Sequence, residues 1–97
     1  RILVIMILEV VSPEAKLFSG EVKSVAVPGV DGAFQVLDNH APIVSILNPG
    51  TVKIGGKISL PEESAHHFKQ QGEETYLELP NGGTVEMQKN KIVLLAD

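Results

Sequence analysis

The sequence predicts an all-β domain, a sandwich or a barrel, on three observations. Short runs of β-branched and aliphatic residues recur with Gly, Pro, Asn and Asp between them. No segment carries an apolar stripe at helical spacing long enough for an amphipathic helix. Two stretches alternate apolar and polar residues about hairpin-type turns, Thr51 to Leu60 and Val85 to Leu95. With 97 residues the chain supports one domain. A net charge of −4 has the wrong sign for a protein held by phosphate contacts, which excludes nucleic acid as the main partner. The absence of cysteine removes disulfides, thiolate chemistry and Cys-type zinc sites.

The elements follow in chain order. Ile2 to Leu8 is a run of seven apolar residues, too short for a membrane-spanning helix and followed at once by Glu9, so it reads as a buried first strand. Met6 fits an initiator, with Arg1 to Ile5 as leader or added residues. Between Glu21 and Val27 the alternation changes phase near Ser24, which predicts a bulge or a corner between two sheets. Pro28, Gly29, Asp31 and Gly32 make a tight turn, and Asp38 to Pro42 and Asn48 to Gly50 make two further loops.

In Thr51 to Leu60, Val52 and Ile54 alternate with polar residues, Gly55-Gly56 suits a two-residue turn, and Ile58 and Leu60 return on the same face. The stretch 61–72 reads as a short helix or a mobile loop. Pro61 suits a helix start and Gly72 its end, but only Ala65 and Phe68 are apolar, so its removal is expected to leave folding intact. The last hairpin turns at Lys89-Asn90, with Asn90 expected to take the left-handed conformation. Ile92 to Leu95 lacks alternation, which predicts cover on both sides.

No candidate for chemistry is strong. Gly29-Val30-Asp31-Gly32 lacks a dinucleotide fingerprint and precedes strand-like residues, whereas a phosphate cradle needs a helix start. His66 and His67 are adjacent and diverge, while metal pairs on a helix want a spacing of three or four. His40 has no serine on a strained elbow to serve. Glu62, Glu63, Glu73 and Glu74 look like a solvated face. These observations predict no catalytic residue, no metal and no cofactor. A stand-alone module for carbohydrate or peptide is the alternative, but there is no Trp and a single Tyr to form a sugar platform.

Leu8-Glu9-Val10-Val11-Ser12-Pro13, then Phe18-Ser19-Gly20, Val27-Pro28-Gly29 with Gly32, Asn39-His40-Ala41-Pro42, and Leu47 with Pro49-Gly50 stand in an order that closely resembles the amino-terminal domain of the epsilon subunit of F-type ATP synthase. Gly82-Gly83, Val85-Glu86, Asn90 and Leu95-Ala96-Asp97 continue it. The resemblance implies a ten-stranded antiparallel β-sandwich over the single domain 1–97, without the two-helix carboxy-terminal domain that many members add. It implies a non-catalytic central-stalk subunit, peripheral on the cytoplasmic face of the bacterial inner membrane, that couples proton-driven rotation to ATP synthesis. The partners it implies are the gamma subunit and the c-ring. Carried over, Ser12, His40, Ala41, Pro42 and Ser45 face gamma, and Gly29, Val30, Asp31, Gly32 and Ala33 face the ring. The stretch Gly56 to Glu74 is longer than the family's usual hairpin.

With neither a phosphate loop nor a basic cluster, this chain is expected to bind no ATP. Calorimetry checks this, and a Kd tighter than about 1 mM would contradict it.

Overall fold

The computed structural model describes residues 6–36 and 42–97. Ten strands form one curled sheet: β1 (Met6–Val11), β2 (Lys16–Val22), β3 (Ser24–Gly29), β4 (Gly32–Val36), β5 (Ile43–Leu47), β6 (Gly50–Gly55), β7 (Phe68–Gln71), β8 (Glu74–Leu79), β9 (Gly83–Gln88) and β10 (Lys91–Ala96). The strand order is β2-β1-β10-β9-β5-β3-β6-β8-β7, with β4 on the far side of β3. All pairings are antiparallel except β1 with β10, which run parallel. The sheet folds where β5 meets β3 through one residue pair, Gly29↔Leu47. This fold makes two layers, β2-β1-β10-β9-β5 and β4-β3-β6-β8-β7.

Period-two alternation builds the core between them. Met6, Leu8 and Val10 of β1 point inward, as do Ile92 and Leu94 of β10, Val85 and Met87 of β9, and Val52 and Ile54 of β6. Val25 and Val27 of β3 and Leu77 and Leu79 of β8, in the same layer as β6, complete it. The phase change near Ser24 is the expected corner: β2 ends at Val22 in one layer and β3 starts at Ser24 in the other, with the Lys23 N–H donating to Gly55 O at 2.8 Å.

The hairpin expected over Thr51 to Leu60 does not form. β6 pairs instead with β3 and, along its whole length, with β8 from Gly50↔Leu79 to Gly55↔Glu74. Ile58 and Leu60 pack on the core from outside the ladder, which alternation alone does not distinguish from a strand.

Residues 61–72 form neither a helix of useful length nor a loose loop. A 3₁₀ turn at Ala65–His67 leads into β7, which forms a hairpin with β8 through Gly72 (φ 62°). Ser64, 5% exposed, donates from its hydroxyl to Leu17 O at 2.6 Å. That carbonyl is available because Leu17 is the extra residue of a bulge: Val10 pairs Phe18 and Val11 pairs Lys16. The bulge also lets Leu17 and Phe18 both point inward. Since β2 and β7 are the two ends of the strand path, the Ser64 bond draws its open ends together.

At the β9–β10 turn the left-handed residue is Lys89 (φ 59°), in place of the expected Asn90. The other expectation to correct is that Ile92 to Leu95 is covered on both sides. Ile92 and Leu94 are fully buried, but Leu95 is 45% exposed on the outer face.

Ser64→Ala is expected to cost about 1–3 kcal/mol, because Leu17 O loses its buried donor. Deleting 61–71 is expected to cost more and to expose the core between β2 and β8. Chemical denaturation measures both, and slow amide exchange within β7 would mark it as an ordered strand.

Candidate functional site

The two outer faces differ in chemistry. On the β1-β10-β9-β5 layer, the pairing registers align two rows across four strands: Glu9, Val93, Glu86 and Val44, then Val11, Leu95, Thr84 and Ile46. Val44 is 70% exposed and Ile46 64%. Val30, in the β3–β4 turn, adds a further exposed apolar side chain next to them, and its N–H donates to Ile46 O at 3.1 Å. Apolar residues prominent on a stiff, exposed sheet face mark a surface that a partner covers.

On the opposite layer the exposed side chains satisfy one another. Lys53 Nζ lies 2.9 Å from Glu74 Oε2, the Tyr76 hydroxyl donates to Glu74 Oε1 at 3.0 Å, and the Thr51 hydroxyl donates to the Glu78 carboxylate. The hydrogen bond from Lys53, then that from Tyr76, lowers the Glu74 pKa, and the same carboxylate raises those of Lys53 and Tyr76. These groups are solvated, so the cluster contributes little stability. Its sign is clear: the Glu74 part is present above the ordinary glutamate pKa and lost as pH falls, and the Lys53 part is lost as pH rises past the raised lysine value. This face is at ease in water.

The interface residues expected from sequence fall into separate places. Val30, Asp31, Gly32 and Ala33 form the exposed β3–β4 tip beside β5, whereas Gly29 is buried at the fold of the sheet, where a Cβ would sit 2.8 Å from Gly32 O. Pro42 is exposed at the start of β5 and lines a hollow of ≈ 260 Å³ with Val44, Glu86 and Gln88. Ser45 is half-buried opposite fully buried Val85, on the inward side of β5, and its hydroxyl donates to Ile46 O at 3.4 Å. Ser12 sits in the β1–β2 turn, where its hydroxyl accepts the Ala15 N–H and donates to Ala15 O, both at 3.2 Å. It borders a cleft of ≈ 400 Å³ with Pro80, Asn81 and Asp97, three strand spacings or about 14 Å across the layer from β5. His40 and Ala41 lie outside the described residues. The structure therefore sets the tip beside the Ile46–Leu47 end of β5 and Pro42 at the opposite end of that strand, turns Ser45 to the inward side, and leaves Ser12 across the layer.

Sequence reasoning missed Val44, Ile46, Glu86, Val93 and Leu95. The signal was there in Ile43 to Leu47, apolar on both faces but for Ser45, and in the unbroken run Ile92 to Leu95, each with apolar side chains on its outer face, where Val44, Ile46 and Leu95 are exposed.

For chemistry the arrangement offers little. Among the described residues no three His, Cys, Asp or Glu side chains gather at metal-binding distance. His66 and His67 are exposed and do not diverge as expected: in the 3₁₀ turn their ring centroids lie 4.1 Å apart. No described helix is long and apolar enough to cross a membrane.

The fold is a two-layered β-sandwich with exposed apolar side chains on one outer face and mutually bonded polar side chains on the other. Residues 5–97 match the family described as "ATP synthase, Delta/Epsilon chain, beta-sandwich domain", and the chain belongs to that family. It is 37% identical over 90 residues to an ATP synthase epsilon chain of Chlorobium limicola, spanning 93% of this chain and 86% of that one. It is 33% identical over 92 residues to the epsilon chain of Campylobacter hominis, spanning 95% of this chain but 61% of the relative. A chain in the central stalk and c-ring structure of the Tetrahymena thermophila mitochondrial ATP synthase shares the fold with a TM-score of 0.60 at 14% identity. That likeness covers 93% of this chain and 61% of the other.

Replacing Lys53 with Met is expected to raise the Glu74 titration midpoint toward the ordinary glutamate value and to leave the fold unchanged. Carboxyl-detected NMR titration checks it.

Proposed function

We propose that this domain is a non-catalytic rotor component of an ATP synthase, docking on the gamma subunit through the outer face of β1-β10-β9-β5 and meeting the c-ring loops with the Val30–Ala33 tip. Its role is mechanical: it turns with the stalk and couples proton-driven rotation to ATP synthesis carried out by other subunits. It sits peripherally, on the cytoplasmic face of the bacterial inner membrane.

The observation that carries this reading is the row Val11, Leu95, Thr84 and Ile46, in which Leu95 and Ile46 are exposed, extended by exposed Val44 and Val30. Apolar area of this kind contributes about 25 cal/mol per Å² once covered. A sheet face also presents it with little ordering cost, because β5, β9 and β10 are already fixed by their ladders. Pro42 and the tip border this face at the two ends of β5, so the gamma and ring contacts belong to one rigid body.

Mixing the domain with its cognate gamma subunit is expected to give a stable one-to-one complex on a sizing column. Ile46→Asp is expected to weaken it at least about tenfold while changing stability by less than about 0.5 kcal/mol, since the side chain faces solvent in the isolated domain. Thr51→Ala, on the opposite face, is expected to bind as the parent does. His40→Glu is expected to lower gamma affinity without lowering the melting temperature. A complex insensitive to Ile46→Asp and His40→Glu would overturn the assignment of this face.

A further inference from the structure

β5 has two unlike edges. Along one it pairs with β9 over its full length, and along the other it meets β3 only at Leu47↔Gly29. One bond fixes which way its backbone groups point. Ile46 O accepts the Val30 N–H, so Ile46 faces the β3 side, and so does Val44 two residues earlier, because successive residues of a strand direct their N–H and C=O to opposite edges. Among the described residues, the Val44 N–H and C=O and the Ile46 N–H find no backbone partner on that edge. Ile43–Leu47 itself contains no charge and no Pro to protect the edge, and its exposed side chains are the β-branched Val44 and Ile46.

We infer that an extended segment of the partner's own chain completes this edge as an added strand beside β5, with apolar side chains at alternate positions and a basic residue directed to Glu86. Only an extended backbone satisfies donors and acceptors spaced along an edge, and the exposed row beside it selects apolar residues on that face. Glu86 lies opposite Val44 and joins no ion pair among the described residues. A second copy of this domain pairing β5 to β5 would bring another Glu86 to the same face, on a chain that also carries a net charge of −4. A partner segment bearing Lys or Arg supplies the complementary charge instead.

The inference rests on the outer face being the gamma-docking face, and the test separates the two. Val44→Pro removes the outward N–H while sparing the β5–β9 ladder, so the domain is expected to fold and to lose at least about tenfold in affinity for purified gamma. In the parent complex, amide exchange at Val44 and Ile46 is expected to slow at least about tenfold relative to the free domain. Glu86→Gln is expected to flatten the salt dependence of binding. Val44→Pro binding as tightly as the parent, while Ile46→Asp fails to bind, overturns strand addition and leaves the docking face standing. Parent-like binding by both variants overturns the docking face and strand addition together. If Val44→Pro does not fold, unchanged amide exchange at Val44 and Ile46 in the parent complex overturns strand addition.

Discussion

The structure turns on the position of Leu47. It is the residue through which β5 joins both layers, paired with Gly83 of β9 on one side and with Gly29 of β3 on the other. The turn at Gly82 must approach the Leu47 backbone more closely than a side chain allows, and the neighbouring Gly29 is crowded in its own turn. At Gly82, which adopts φ 71°, a Cβ would collide with Leu47 O, and at Gly29 a Cβ would press on Gly32 O and the Phe34 ring. Glycine is required at Gly82 on both counts, conformation and space. With this corner fixed, a single ten-stranded sheet folds into two facing layers around a core that includes fully buried Leu8, Ile54, Ile92 and Leu94.

From that corner follows the asymmetry of the outer faces. The corner sets the Val30 turn against Ile46, and the β1-β10-β9-β5 registers line up Val11, Leu95 and Ile46 on one surface. The other layer spends its exposed positions on Lys53, Glu74 and Tyr76, which bond to one another. Covering the first face releases apolar surface from water, whereas covering the second would strip solvated charges for no compensating gain.

The far end of the strand path needs a different device. β2 and β7 are terminal strands, and a gap between them would leave the core wet. The long connection after β6 fills it: Ile58 and Leu60 pack on the core, and the buried Ser64 hydroxyl caps the carbonyl that the Leu17 bulge sets free. A polar group buried there is tolerable because it is satisfied on both sides of the bond. The insertion is thus part of the wall of the sandwich, although its composition is that of a surface loop.

How much of this was legible in the residues depends on the range of the interaction involved. Local alternation was enough for the all-β class, for the Val85 to Leu95 hairpin and for the corner near Ser24, because each reflects the period-two geometry of one or two neighbouring segments. The order of short motifs around Ser12, Gly29 and His40 was enough for the family. Tertiary structure alone decided that β6 pairs with β8 rather than with residues 57–60, and that the stretch 61–72 ends in a strand. The competing choices have similar apolar patterns and differ only in what lies across the sheet. The same holds for the outer face of β1-β10-β9-β5. The lack of alternation in Ile92 to Leu95 suggested cover on both sides, but only the register β10-β9-β5 showed its outer side to lie on the same surface as exposed Val44 and Ile46.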